Sequence, residues 1–176
     1  MMTTEQREAE ISQLCQSCGA CCDGTMYTRV QVEPEMPLAS RRRLQLLDDQ
    51  AWLELPCKHL TGTRCGVYAD RPLKCRTYLC KQVDEHRADG GSIDQRLALV
   101  QAIRVLSRRV RAAAVAGGAS PQTTHWGLFA AMERGDGSVP PELALDVIEL
   151  TVRIRRDLGW ISDEEAEAGK KDADAS

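Results

Sequence analysis

The stretch Cys15-Gln16-Ser17-Cys18-Gly19-Ala20-Cys21-Cys22 decides how this chain is read. A two-residue gap between cysteines lets a tight turn aim both sulfurs at one centre. Cys15, Cys18 and Cys21 do this twice in succession. Thiolates are the soft ligands that zinc and iron–sulfur clusters prefer. Downstream stand Cys57, Cys65, Cys75 and Cys80, so all eight cysteines lie within 66 residues and the 96 residues from Lys81 onward hold none. Bacterial ferredoxins build four-iron clusters on such a triple run, with a further ligand elsewhere in the chain. Structural zinc more often pairs two separate Cys-x-x-Cys knuckles. The downstream cysteines, at wider gaps, supply no second knuckle. The local pattern favours an iron–sulfur cluster of the 4Fe–4S kind and leaves zinc open. Adjacent Cys21 and Cys22 point different ways, so they are not expected to bind the same ion.

Composition bounds the rest. The 176 residues suit one domain of ordinary size, or a small domain with an appendage. With seven aromatic residues, a large all-β sandwich is not expected. No apolar run approaches the ~18 residues that span a bilayer, so no membrane partner is expected. The segment Met1–Glu10 is polar and carries three Glu, unlike a secretory signal. The expected compartment is therefore the reducing cytoplasm, where clustered cysteines read as metal ligands before disulfides. A net charge of −3 gives no strong pull toward nucleic acid.

Four regions follow in order: an N-terminal helix (1–14), the cysteine-cluster metal-binding region (15–88), a helical region (92–161) and a polar tail (162–176). Thr3 to Gln6 fits a capping box, and Ala9, Ile11 and Leu14 give a helical stripe. Val30 to Val32 is an ambiguous extended piece, and Pro37 opens a helix through Leu44, Leu46 and Leu47. Residues 58–60 and 64–68 flank Thr61-Gly62-Thr63 as a hairpin with Cys57 and Cys65 near its ends. Asp70-Arg71-Pro72 enters a short helix carrying Cys75 and Cys80, and Asp89-Gly90-Gly91 reads as a linker. Ser92 caps a long helix to Gly117, residues 121–132 form a shorter one, and Pro140-Pro141 opens a third. Leu99, Ile103, Leu106 and Val110 should face Leu145, Ile148 and Val152. The expected fold is mostly α, a small metal-stapled cysteine region with one short hairpin packed on a helical C-terminal half. The cysteine half has a thin core of its own, so metal is expected to hold it folded.

The cysteine run, followed by Cys57-x-His59-Leu60, Cys65-Gly-Val-Tyr68-x-Asp70-Arg71-Pro72 and Cys75-Arg76-x-Tyr78-x-Cys80, resembles the YkgJ-type cysteine-cluster (CxxCxxCC) family. The resemblance covers roughly residues 12–85, with all eight cysteines and the Arg-Pro dipeptide in order. It implies a domain that chelates zinc or iron. Flagellin lysine methylases look similar in their cysteine pattern, and their association with an iron–sulfur cluster favours iron. It carries no methyl transfer over to this chain.

The candidate cofactor and metal ligands are thus Cys15, Cys18, Cys21, Cys22, Cys57, Cys65, Cys75 and Cys80. His59 is a weaker candidate, since thiols hold soft metals better. Arg71, Lys74 and Arg76 bracket Cys75 and either favour its thiolate, pair with Asp70, or lie in solvent. The stripe Arg104, Arg108, Arg111 lacks the interleaved aromatics of a nucleic-acid surface and reads as solvated. No catalytic residues emerge. The cysteine-free helical half is expected to cover the metal site or to dock a protein partner, with an iron–sulfur enzyme as a third reading.

Overall fold

The computed structural model describes residues 3–89, 91–135 and 137–159. Its helices are α1 (Thr4–Cys18), α2 (Leu38–Arg43), α3 (Leu73–Thr77), α4 (Lys81–Asp89), α5 (Ile93–Ala116), α6 (His125–Arg134) and α7 (Pro141–Arg153). The strands β1 (Arg29–Gln31) and β2 (Trp52–Glu54) pair antiparallel, as do β3 (Leu60–Thr61) and β4 (Arg64–Cys65). The mostly helical expectation holds, with two strand pairs where one hairpin is expected. The missed pair joins Val30 to Leu53 across a long connection, without the short turn that marks a hairpin in sequence.

The helix starts follow local chemistry. Thr3 accepts from the Gln6 N–H while Gln6 reaches back to the Thr3 N–H, a full capping box. Ser92 caps α5 and Thr124 caps α6, so α6 begins at His125 rather than near Pro121. Cys75 and Cys80 do not share a helix. Tyr78 turns extended at φ −69°, ψ 127°, ending α3, and α4 starts afresh after Cys80. Asp89, the first residue of the expected linker, is instead the last of α4, and Gly90 lies outside the described residues, as does the polar tail 162–176.

Two cores result. The main one joins Ile11 and Leu14 of α1, Met26, and Val83 of α4 to Val100, Ile103, Leu106 and Val110 of α5, with Leu128 and the α7 set. The smaller one holds Val32, Met36, Leu44, Leu46 and Leu53. The face of α7 differs from expectation: Leu143, Val147, Leu150 and Ile154 are buried, while Leu145, Ile148 and Val152 are exposed. Both sets repeat at helical spacing, so periodicity does not choose between them. Contacts choose. Asp146 pairs with Arg109 at 2.6 Å, and Thr151 meets the buried His125 at 3.0 Å, which fixes the rotation. Leu47 is also exposed, because α2 stops at Arg43. Among the described residues no helix is long and apolar enough to cross a membrane.

Candidate metal centre

The last turn of α1 carries Cys15 and Cys18, three residues apart on one face. The helix ends at Gly19, whose φ of +69° is left-handed and whose N–H donates to the Cys15 carbonyl at 3.3 Å. A Cβ there would also stand 3.3 Å from the Thr63 backbone, so glycine suits this corner twice over. The chain then curls: the N–H groups of Cys22 and Asp23 both donate to the Gly19 carbonyl. The helical half grips the loop that follows. His125 N–H donates to the Gly24 carbonyl at 3.0 Å, the Trp126 indole to the Met26 carbonyl at 2.8 Å, and the Arg111 guanidinium to the Asp23 carbonyl. Arg111 is therefore engaged rather than simply solvated. Asp23 itself has its pKa raised by burial, opposed by Thr25 and Arg111.

Cys80 comes from the far end of the cysteine region. Its carbonyl accepts from Val83 and Asp84, at the N-terminus of α4. Two contacts place that terminus against the end of α7, which finishes in a π-turn (Ile154–Leu158). Gln82 donates to the Asp157 carbonyl at 2.7 Å, and Lys81 to the Arg156 carbonyl at 3.1 Å. Farther along, α4 is bound to α1 by the buried His86 against Glu10 at 2.8 Å and by Arg87 against Glu8. Cys80 is thereby delivered to the cysteine end of α1. Cys18, Cys21 and Cys80 pack on the main core.

The remaining cysteines gather on the other side of the curl. The Cys57 N–H donates to the Cys22 carbonyl at 2.7 Å. Cys65 stands opposite Leu60 in the β3–β4 hairpin, whose entry turn starts at the Cys57 carbonyl. Cys75 lies on α3, and α3 is held against the β1 side by the Leu73 N–H and Arg76, both on the Glu33 carboxylate. Cys57 packs on the small core.

Electrostatics reports the same two gatherings. Burial is the main cause raising the Cys15 thiol to about 11 and the Cys18 thiol to about 12, and it raises Cys21 and Cys80 as well. Within this set every pair of thiols repels in the ionised form. Burial likewise raises Cys22 to about 12 and Cys75 to about 11, and raises Cys57. Cys22, Cys57, Cys65 and Cys75 also repel in every pairing. Cys21 and Cys22, adjacent in the chain, repel across the two sets. Positive charge offsets this in places. Arg71 lowers both Cys15 and Cys75, its guanidinium lying 3.6 Å over the Tyr68 ring. Asp70 is not its partner, being taken by Arg43 and Ser40.

All eight cysteines are free thiols, four to each side of the curl. The donor set suits zinc or an iron–sulfur cluster, each of which takes four thiolates. Among the described residues no three Cys, His, Asp or Glu side chains already converge as a closed ion shell. The backbone brings the sulfurs into the same neighbourhoods. His59 is occupied elsewhere, its Nε2 bonded to the Leu44 carbonyl at 3.1 Å. Sequence reasoning missed Tyr27 and quoted Tyr78 only within the resemblance, without a role; their rings meet edge to face at 5.2 Å beside Cys21 and Cys80. Burial and the neighbouring thiols push the Tyr78 hydroxyl up to about 12. A cleft of about 590 Å³ is lined by residues such as Glu54, Thr124 and Ser138, and no cysteine borders it.

No curated protein and no solved structure matches the chain. A family model does, and its span takes in every thiol just described, which supports metal binding by this half of the molecule: residues 14–92 match the family described as "CxxCxxCC: Putative zinc- or iron-chelating domain".

Proposed function

We propose that this is a cytoplasmic metal-binding protein whose cysteines hold an iron–sulfur cluster of the 4Fe–4S kind. One observation carries the reading: the triple run Cys15, Cys18, Cys21 shares its side of the curl with Cys80, three of the four packed on the main core. That is a run of three plus one distant thiol, the ligand pattern of a four-iron cluster. A bound cluster would supply one-electron chemistry to the site. The chain's own groups do the rest. Tyr27 and Tyr78 stand beside Cys21 and Cys80, and the backbone N–H groups of Gln82 and Val83 favour the Cys80 thiolate. Arg71 and Arg87 offset the charge on Cys15.

The exposed stripe Leu145, Ile148, Val152 favours a second reading, a zinc-stabilised module that docks a protein partner through α7. Anaerobic purification of the full chain separates the two. Iron and sulfide with visible absorbance support the first; a colourless protein with stoichiometric zinc overturns it in favour of the second.

A further inference from the structure

Resting on the metal-binding reading, we propose that the eight thiols form two separate four-thiol metal sites. One is Cys15, Cys18, Cys21 and Cys80; the other is Cys22, Cys57, Cys65 and Cys75. The boundary between them is the peptide bond from Cys21 to Cys22.

Three features of the fold place it there. The curl after Gly19 sends Cys21 to the main core and leaves Cys22 backbone-bonded to Cys57. The elements that deliver the distant thiols differ as well. Cys80 arrives with α4, which is bound to α1 and to the end of α7. Cys57, Cys65 and Cys75 arrive with the β3–β4 hairpin and with α3, which Glu33 holds. Lastly, the two sets lean on different apolar cores: Cys18, Cys21 and Cys80 on the large one, Cys57 on the small one. Each set contains four thiols, the number that completes a tetrahedral zinc site or the ligation of a four-iron cluster.

Cobalt(II) titration of the reduced full-length protein counts the sites without any substitution. Thiolate-to-cobalt absorbance is expected to saturate at about two ions per chain, one for each four-thiolate site. Saturation at one ion overturns the two-site assignment and leaves metal binding standing. No uptake at all overturns both. Membership is read from the zinc-loaded chain, partly stripped with chelator, alkylated and mapped by mass spectrometry. Molecules that carry four alkyl groups should carry them on one set or on the other. Mixed sets overturn the assignment. Cys80→Ser and Cys65→Ser should each lose one cobalt ion, and the double variant both. The wild-type count and the alkylation map decide the matter even if a variant fails to fold.

Discussion

A buried thiol without a cation keeps its proton, and the proton is what metal must displace. Cys18 and Cys22 are raised to about 12, and Cys15 and Cys75 to about 11, from an ordinary 9.0, chiefly by burial. At neutral pH metal uptake should therefore release about one proton for each ligating thiol, measurable with an indicator dye in weak buffer. The same shifts set the alkaline limit of the metal-free protein. The folded end of α1 favours neutral Cys15 and Cys18 thiols, so that this stability is complete below pH 9.0 and drains away as pH climbs toward 11 to 12. Circular dichroism should show metal-free protein unfolding over this range while loaded protein persists; equal alkaline resistance would count against thiol ligation. His125 gives the opposite sign. Burial lowers it from 6.5 to about 4, so the fold favours neutral imidazole, fully above pH 6.5 and progressively less down to about 4. The loss should reach ~3 kcal/mol across that window. Urea unfolding of His125→Gln beside wild-type should remove this part of the acid slope.

At the scale of elements, the caps at Thr3 and Ser92 are plain in the sequence, while the Thr124 cap and helix rotation are not. Thr3 and Ser92 announce their helices because a hydroxyl one turn ahead of free N–H groups has a local partner to satisfy. α7 is apolar on two sides, and the choice between them depends on Asp146 finding Arg109 and Thr151 finding His125, partners distant in sequence. Truncating Leu150, which is 0% exposed, should cost ~2–5 kcal/mol in chemical denaturation. Truncating Leu145, 73% exposed, should move stability by less than ~0.5 kcal/mol. Equal costs at the two positions would mean that α7 is turned the other way. The candidate site shows the same division. The eight cysteines and the hairpin near Cys65 are legible as residue types and spacing. Which thiol meets which is not, because α4 must first reach α1 through His86 and Glu10 before Cys80 can join Cys15.

For the whole molecule, the two cores imply unequal dependence on metal. The main core draws on α1, α4, α5, α6 and α7, and its buried set runs from Ile11 to Leu158. The small core has five buried residues, with strands of two or three residues around it. Short two-stranded pairs are marginal in water on their own. Thiolate–metal bonding can add ~10–16 kcal/mol of apparent folding energy, as much as the ~5–15 kcal/mol that holds a typical domain. Chelation should therefore act regionally. Hydrogen exchange followed by mass spectrometry should show protection falling over residues 28–77 once metal is removed. Protection should remain in α5 and α7, whose buried apolar residues pack in the main core. The segment from Cys15 to Met26 should fall between, because Arg111, Trp126 and His125 hold its backbone from the helical side without metal. Uniform loss across the chain would show that the helical core also needs metal, and no loss anywhere would remove metal from the folding of the protein altogether.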